Sequence, residues 1–174
     1  MASDLNPIVP GGDGRLLPSG RFAGRVEFEA LVQNALHRAA TDGWSEIILS
    51  DADFSDWPLN QTVVIESLNA WAVAGRRLTL LATGYDEVHR HHPRFVAWRR
   101  TWGHLIEARV CDEPARGDVP SAIWSPAWFM HRTDPVHQSG LCGTDPALKA
   151  RVREALSERL RASTTGFSAS ILGL

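Results

Sequence analysis

The sequence predicts an α/β domain with a largely parallel or mixed central sheet and helices on both faces. Short apolar runs of strand type, "EIIL", "RLTLLA" and "LIEARV", alternate with amphipathic segments of helical period. The connections are short, and neither an internal repeat nor a low-complexity block interrupts the alternation. Strands and helices alternating in this way call for right-handed βαβ crossovers, hence parallel neighbours covered on both sides. A chain of 174 residues, 44% of them hydrophobic, can bury a core of ordinary size. A single domain over residues 21–174 is expected, preceded by a flexible arm over residues 1–20, where Pro and Gly recur without periodicity.

The elements follow in order. Beyond Phe22, residues Phe28, Leu31, Val32, Ala35, Leu36 and Ala39 keep the i, i+3, i+4, i+7 spacing, and "DG" at 42–43 stops the helix. "SEIILSDADF" reads as a buried strand running into an acidic turn. Asn60 is suited to cap a second helix, whose Val64, Leu68, Trp71 and Ala72 form one stripe ending at Gly75. "RRLTLLATGY" is the second strand. In "DEVHRHHPRFVAWRRTWGH", Phe95, Trp98, Trp102 and Leu105 stand at helical spacing and Pro93 suits a first turn. "LIEARV" is the third strand, and Pro120 to Cys142 reads as irregular strands or a hairpin. Asp145 and Pro146 open a last helix with Leu148, Val152, Ala155, Leu156 and Leu160 inward. Trp71, Trp98 and Trp102 are expected in the core, Trp124 and Trp128 at an exposed aromatic interface.

Composition narrows the chemistry. With 20 acidic against 18 basic residues the formal charge is −2, so no general nucleic-acid binding is expected. Lys149 is the sole lysine, which leaves little material for Schiff-base chemistry. Cys111 and Cys142 lack a CxxC spacing and no leader precedes them, so a cytoplasmic location with reduced thiols is expected. Nowhere are there about 18 consecutive apolar residues, so membrane insertion is not expected. The apolar tail residues Phe167, Ile171 and Leu172 are expected to cover apolar surface on this subunit or on a second copy, and they, or Trp124 and Trp128, are the candidate contacts of a homodimer.

In open α/β sheets ligands gather at the carboxyl ends of the strands. Asp51, Asp53, Asp86, His89, His92 and Arg94 all follow strand ends and are the candidate ligand-binding residues. "DADFS" echoes the DxDx(S/T) start of haloacid-dehalogenase-type phosphatases, but no downstream lysine and acidic pair complete that pattern. Aspartates in such a turn bond neighbouring backbone amides, and Asp56 before Trp57-Pro58 is a natural turn or cap residue. "HRHHP" has the density of a metal site without a third and fourth ligand at recognisable spacing. Ser139 and Cys142 lie near His137 without a nucleophile elbow, and the phosphate-loop and GxGxxG patterns are absent. No metal, cofactor or catalytic residue is assigned.

The run of "GWSEIILSDADF", "VVIESLNAWAVAGRRLTLLATG" and "HPRFVAWRRTWGHLIEARV" resembles the αβαβαβ order of one half of a phospholipase-D-like domain, in particular small bacterial half-domains of unassigned function. The resemblance spans residues 22–163 and rests on element order. It implies a site built on HxKxxxxD, with His attacking phosphorus and Lys holding the phosphate oxygens. In "GDVPSAIWSPAWFMHRTD" the one histidine is His131, followed two residues later by Thr133, so the motif is missing. A non-catalytic module acting through protein or self-association is therefore expected. The alternative is a small hydrolase or phosphate-binding enzyme using Asp51, Asp53, His89 and Arg94.

Overall fold

The computed structural model describes residues 16–74, 76–111 and 119–167. Strand β1 (Gly20–Phe22) precedes helix α1 (Arg25–Asp42), followed by β2 (Glu46–Ser50), α2 (Thr62–Ala72) and β3 (Arg77–Ala82). Helices α3 (Asp86–His91) and α4 (Pro93–Thr101) and a 3-10 turn (Gly103–Leu105) lead to β4 (Ile106–Cys111). Then come β5 (Ser121–Trp124), β6 (Phe129–Asp134), β7 (Ser139–Gly143), α5 (Pro146–Arg161) and β8 (Ser163–Thr165). The strands form one mixed sheet in the order β1-β7-β6-β5-β2-β3-β4-β8. β2, β3 and β4 pair in parallel, as the helical crossovers between them require, and the other pairings are antiparallel.

Alternation along the strands divides the core between the two faces. Ile47, Leu49, Leu78, Leu80, Ala108 and Met130 pack with Phe28, Leu31, Val64, Leu68 and Phe95 from α1, α2 and α4. Ile48, Leu81, Cys111 and Phe129 point the other way and meet Val152 and Leu156 of α5. The α/β class with helices on both faces is thus the observed one. α1 ends where expected: Gly43 takes φ 66° and returns its N–H to the Ala39 carbonyl.

Several local expectations are corrected. The segment after β3 is two helices, because Pro93 pushes His92 out of the helical region, to φ −127° and ψ 56°. Asn60 does not cap α2; its Oδ1 accepts from the backbone N–H of Arg94 and so serves the first turn of α4. Residues 120–143, expected to be irregular strands or a hairpin, form a three-stranded antiparallel meander with a register shift between Arg132 and Asp134. At Gly140 a Cβ would lie 2.0 Å from the His131 carbonyl oxygen, so β6 and β7 approach as only glycine permits. Trp71 and Trp98 are in the core as expected, while Trp102 is half-buried. Trp128, expected at an exposed interface, is 1% exposed, and its indole N–H donates to the Pro18 carbonyl, which the arm lays across β7. Of the arm over residues 1–20, residues 1–15 lie outside the described residues, whereas Leu17 packs on the core.

Candidate functional site at the carboxyl rim of the sheet

The acidic segment leaves β2 at its carboxyl end, and the sheet holds it there: Asp51 N–H donates to the Leu81 carbonyl and Thr83 N–H to the Ala52 carbonyl. Asp51 is buried, and its Oδ2 accepts from the N–H groups of Asp53 (3.2 Å) and Phe54 (2.8 Å). This is the expected turn chemistry. Its other oxygen, Oδ1, accepts from Nη2 of Arg132 on β6 at 2.9 Å. Arg132 also reaches Asp56 through Nη1 (2.7 Å) and Nη2 (3.0 Å), and its Nε donates to Ser121 Oγ. The guanidinium carbon stands 4.2 Å from the centroid of the Phe28 ring. Burial works against the charge of Arg132, yet the bonds to Asp56 and Asp51 outweigh it and hold its pKa above the ordinary value.

Asp56 lies in a turn as expected, closed by the Trp57 N–H on the Phe54 carbonyl, and its side chain pairs with Arg132 and caps no helix. Arg132 had not been singled out, although a signal exists. In "FMHRTD" it shares the parity of Met130, whose side chain faces the α1–α2 core, so a charge at this position must find acids or stay outside. The loop is closed further by aromatic contacts: Trp57 meets Phe28 and Phe54 edge-on, with centroids 5.6 Å and 5.0 Å away. Phe54 sits at φ 60°, and its carbonyl accepts from Nε2 of the buried His92 at 2.7 Å. Burial lowers the pKa of His92, the bond to Phe54 counters in part, and His91 adds to the lowering.

The six candidate residues do not converge. Asp51 and His92 are joined through Phe54. Asp53 is spent on the N–H of Ser55, and Asp86 is exposed in the first turn of α3. His89 is exposed and presents its ring to Phe167 at 4.9 Å, and Arg94 bonds Asn60. Among the described residues no group of three or more His, Cys, Asp or Glu is placed to hold a metal ion. Cys142 is buried away from the exposed His137, and burial pushes its thiol up to about 12. His137 instead pairs with Asp134.

These features define a mixed α/β sheet whose first rim turn is filled by its own ion pairs. No protein-family model matches the chain, and no curated relative does. Two solved structures share the fold. Nuc, a phospholipase D family member from Salmonella typhimurium, superposes with a TM-score of 0.53 at 12% identity over 85% of this chain and 98% of its own. TrmBL2, an archaeal chromatin protein with a novel mode of DNA binding, superposes with a TM-score of 0.58 at 12% identity over 83% of this chain. The chain spans about half of TrmBL2, 53% of its length.

Two expectations about partners are corrected. Net charge does not set nucleic-acid binding aside, because the fold is shared with a DNA-binding chromatin protein. A sum of −2 averages over the whole surface, whereas such contacts depend on local charge. The expected dimer contacts also fail in part: Phe167 and Trp128 are buried within this chain, and Trp124 is half-buried with its indole N–H on the Lys149 carbonyl. Ile171 and Leu172 lie outside the described residues. No described helix is long and apolar enough to cross a membrane.

Two expected outcomes follow from the clamp and from His92. Arg132→Ala leaves Asp51 buried without its cation and should cost about 3–5 kcal/mol in urea denaturation. Asp56→Ala leaves the Asp51 pair intact at a more exposed position and should cost less, on the order of 1–2 kcal/mol. Equal losses would contradict the geometry. Because His92 has a lowered pKa in the folded protein, its contribution is fully present above the unfolded value of about 6.5. That contribution falls away as the pH drops from there through the folded value. A melting-temperature profile should show this decline, and His92→Gln, which keeps a donor for Phe54, should make it shallower and leave the part that buried His131 contributes; a wild-type slope in the variant would exclude His92 as a source.

Proposed function

We propose that the chain is a non-catalytic α/β module that works by holding a partner, in a reducing compartment such as the cytoplasm. The observation that carries this reading is the filled rim. Asp51, the acid best placed to hold a metal or attack phosphorus, has both oxygens engaged, one by backbone amides and one by Arg132. The lysine that phospholipase-D-like chemistry would need has no counterpart, since Lys149 lies on α5 and its ammonium donates to the Pro126 carbonyl. His131 sits half-buried on β6, burial lowers its pKa, and no described carboxylate orients it. A hydrolase built on Asp51, Asp53, His89 and Arg94 would need these residues to share a pocket, whereas Asp51 and Asp53 are engaged in one turn, His89 against Phe167 and Arg94 on Asn60.

Nucleic acid is a second reading for the partner, favoured by the fold shared with TrmBL2. Exposed arginines are present on the α3–α4 surface: Arg90, which pairs with Glu87, and Arg94 and Arg100 on α4.

Assayed with bis(p-nitrophenyl) phosphate, the protein should show no turnover above the buffer blank. Turnover abolished by His131→Ala would overturn the non-catalytic reading. For the second reading, anisotropy of labelled duplex DNA should rise at low salt and fall back as salt increases, and Arg94→Ala combined with Arg100→Ala should weaken binding and flatten that dependence. Binding unaffected by the double substitution, or none at low salt, would reject it.

A further inference from the structure

Among the described residues two arginines are buried, and they are satisfied very differently. Arg132, 3% exposed, has two carboxylates and a hydroxyl. Arg99 on α4, 7% exposed, has one described hydrogen-bond partner, the Phe167 carbonyl, reached by Nη2 at 2.8 Å. Its Nε and Nη1 are buried and meet no acceptor among the described residues. No described carboxylate pairs with it, and burial pulls its pKa down. Leaving buried donors of a charged group unmet is costly, and such a group calls for an explanation, of which a bound water, ion or ligand that completes it is one.

Phe167 lies over Arg99. The Phe167 ring lies 5.0 Å from the guanidinium carbon, stacks on Tyr85 at 4.6 Å with 18° between the planes, and meets the exposed His89 edge-on. Phe167 follows β8 and holds φ at 53°, a left-handed conformation that a bulky side chain adopts only under constraint from its surroundings. The Tyr85 hydroxyl is already bonded to the Arg109 carbonyl, so what Tyr85 offers a ligand is its ring face. Tyr85 and His89 follow the carboxyl end of β3, the rim at which open α/β sheets take ligands.

We propose that Arg99 anchors an oxyanion-binding site that Phe167 plugs. A carboxylate or phosphate group takes the place of the Phe167 carbonyl on the guanidinium and satisfies the unmet N–H groups, while the ring face of Tyr85 receives the part of the ligand that displaces the Phe167 side chain. An oxyanion suits the site because it supplies both the missing counter-charge and several acceptor oxygens on a planar fork of donors. The proposal does not depend on the non-catalytic reading: turnover of a phosphodiester would remove that reading and leave this one standing.

The test is calorimetric titration of the full chain with inorganic phosphate, and separately with acetate, at constant ionic strength. Wild type should bind at least one of the two. Phe167→Ala should bind the same anion at least about tenfold more tightly, because the cost of displacing the plug is gone. Arg99→Gln should abolish binding. A response to phosphate alone assigns the phosphate class, and a response to acetate alone assigns a carboxylate. If neither anion binds wild type or Phe167→Ala, or if Arg99→Gln binds as wild type does, the proposal fails. Should Arg99→Gln not fold, equal affinities in wild type and Phe167→Ala would be enough to overturn it.

Discussion

The carboxyl rim depends on one buried cation. Arg132 rises from β6 into the core face of the sheet, and nothing apolar around it can neutralise a guanidinium, so the acids of the turn after β2 must come to it. That demand fixes the turn. Asp51 binds the arginine with one oxygen and the backbone of its own turn with the other, so the charge on β6 and the path of the chain after β2 are determined together. Phe54 and Trp57 then fall into the aromatic cluster with Phe28, and His92 ties the junction of α3 and α4 to the same loop. A segment that resembles a metal-binding loop is in this way a part of the core.

This changes what an acidic cluster at a strand end implies. Three aspartates within six residues repel one another unless cations or N–H donors offset them, and a divalent ion is one source of such compensation. Here a protein cation and backbone amides supply it. The fold shared with Nuc therefore extends to the arrangement of strands and helices, and function has to be argued from side chains, because a fold carries chemistry only where its site is present. The contrast between the two buried arginines follows the same logic: Arg132 is complete within the chain, whereas Arg99 lacks a counter-charge.

Much of the architecture was legible because it rests on local periodicity. The stripe from Phe28 to Ala39 ends at a left-handed glycine, and three apolar runs preceded by helices became the parallel strands β2, β3 and β4. The turn role of Asp51 and Asp53 was legible for the same reason, since Asx bonds span two or three residues. What could not be read are the partners that lie far apart in sequence. Arg132 is 81 residues from Asp51 and Arg99 is 68 from Phe167, and no local spacing announces either contact. Trp128 was misplaced because Trp, Ser and Pro look like an exposed loop, whereas Ser125 closes a tight turn that returns the chain into the meander and buries the indole against Pro18. Net charge misled for a related reason: it is a sum, and an interface is local.

The claim that the rim turn is part of the core is tested most directly by native-state hydrogen exchange at the Phe54 amide, which donates to the Asp51 carboxylate. If the clamp holds the turn, this amide should exchange only through large-scale opening, with protection close to that of the β2 and β3 amides, and Arg132→Ala should convert it to local exchange. Exchange in the wild-type protein at the rate of an unprotected surface turn, unchanged by Arg132→Ala, would contradict the account.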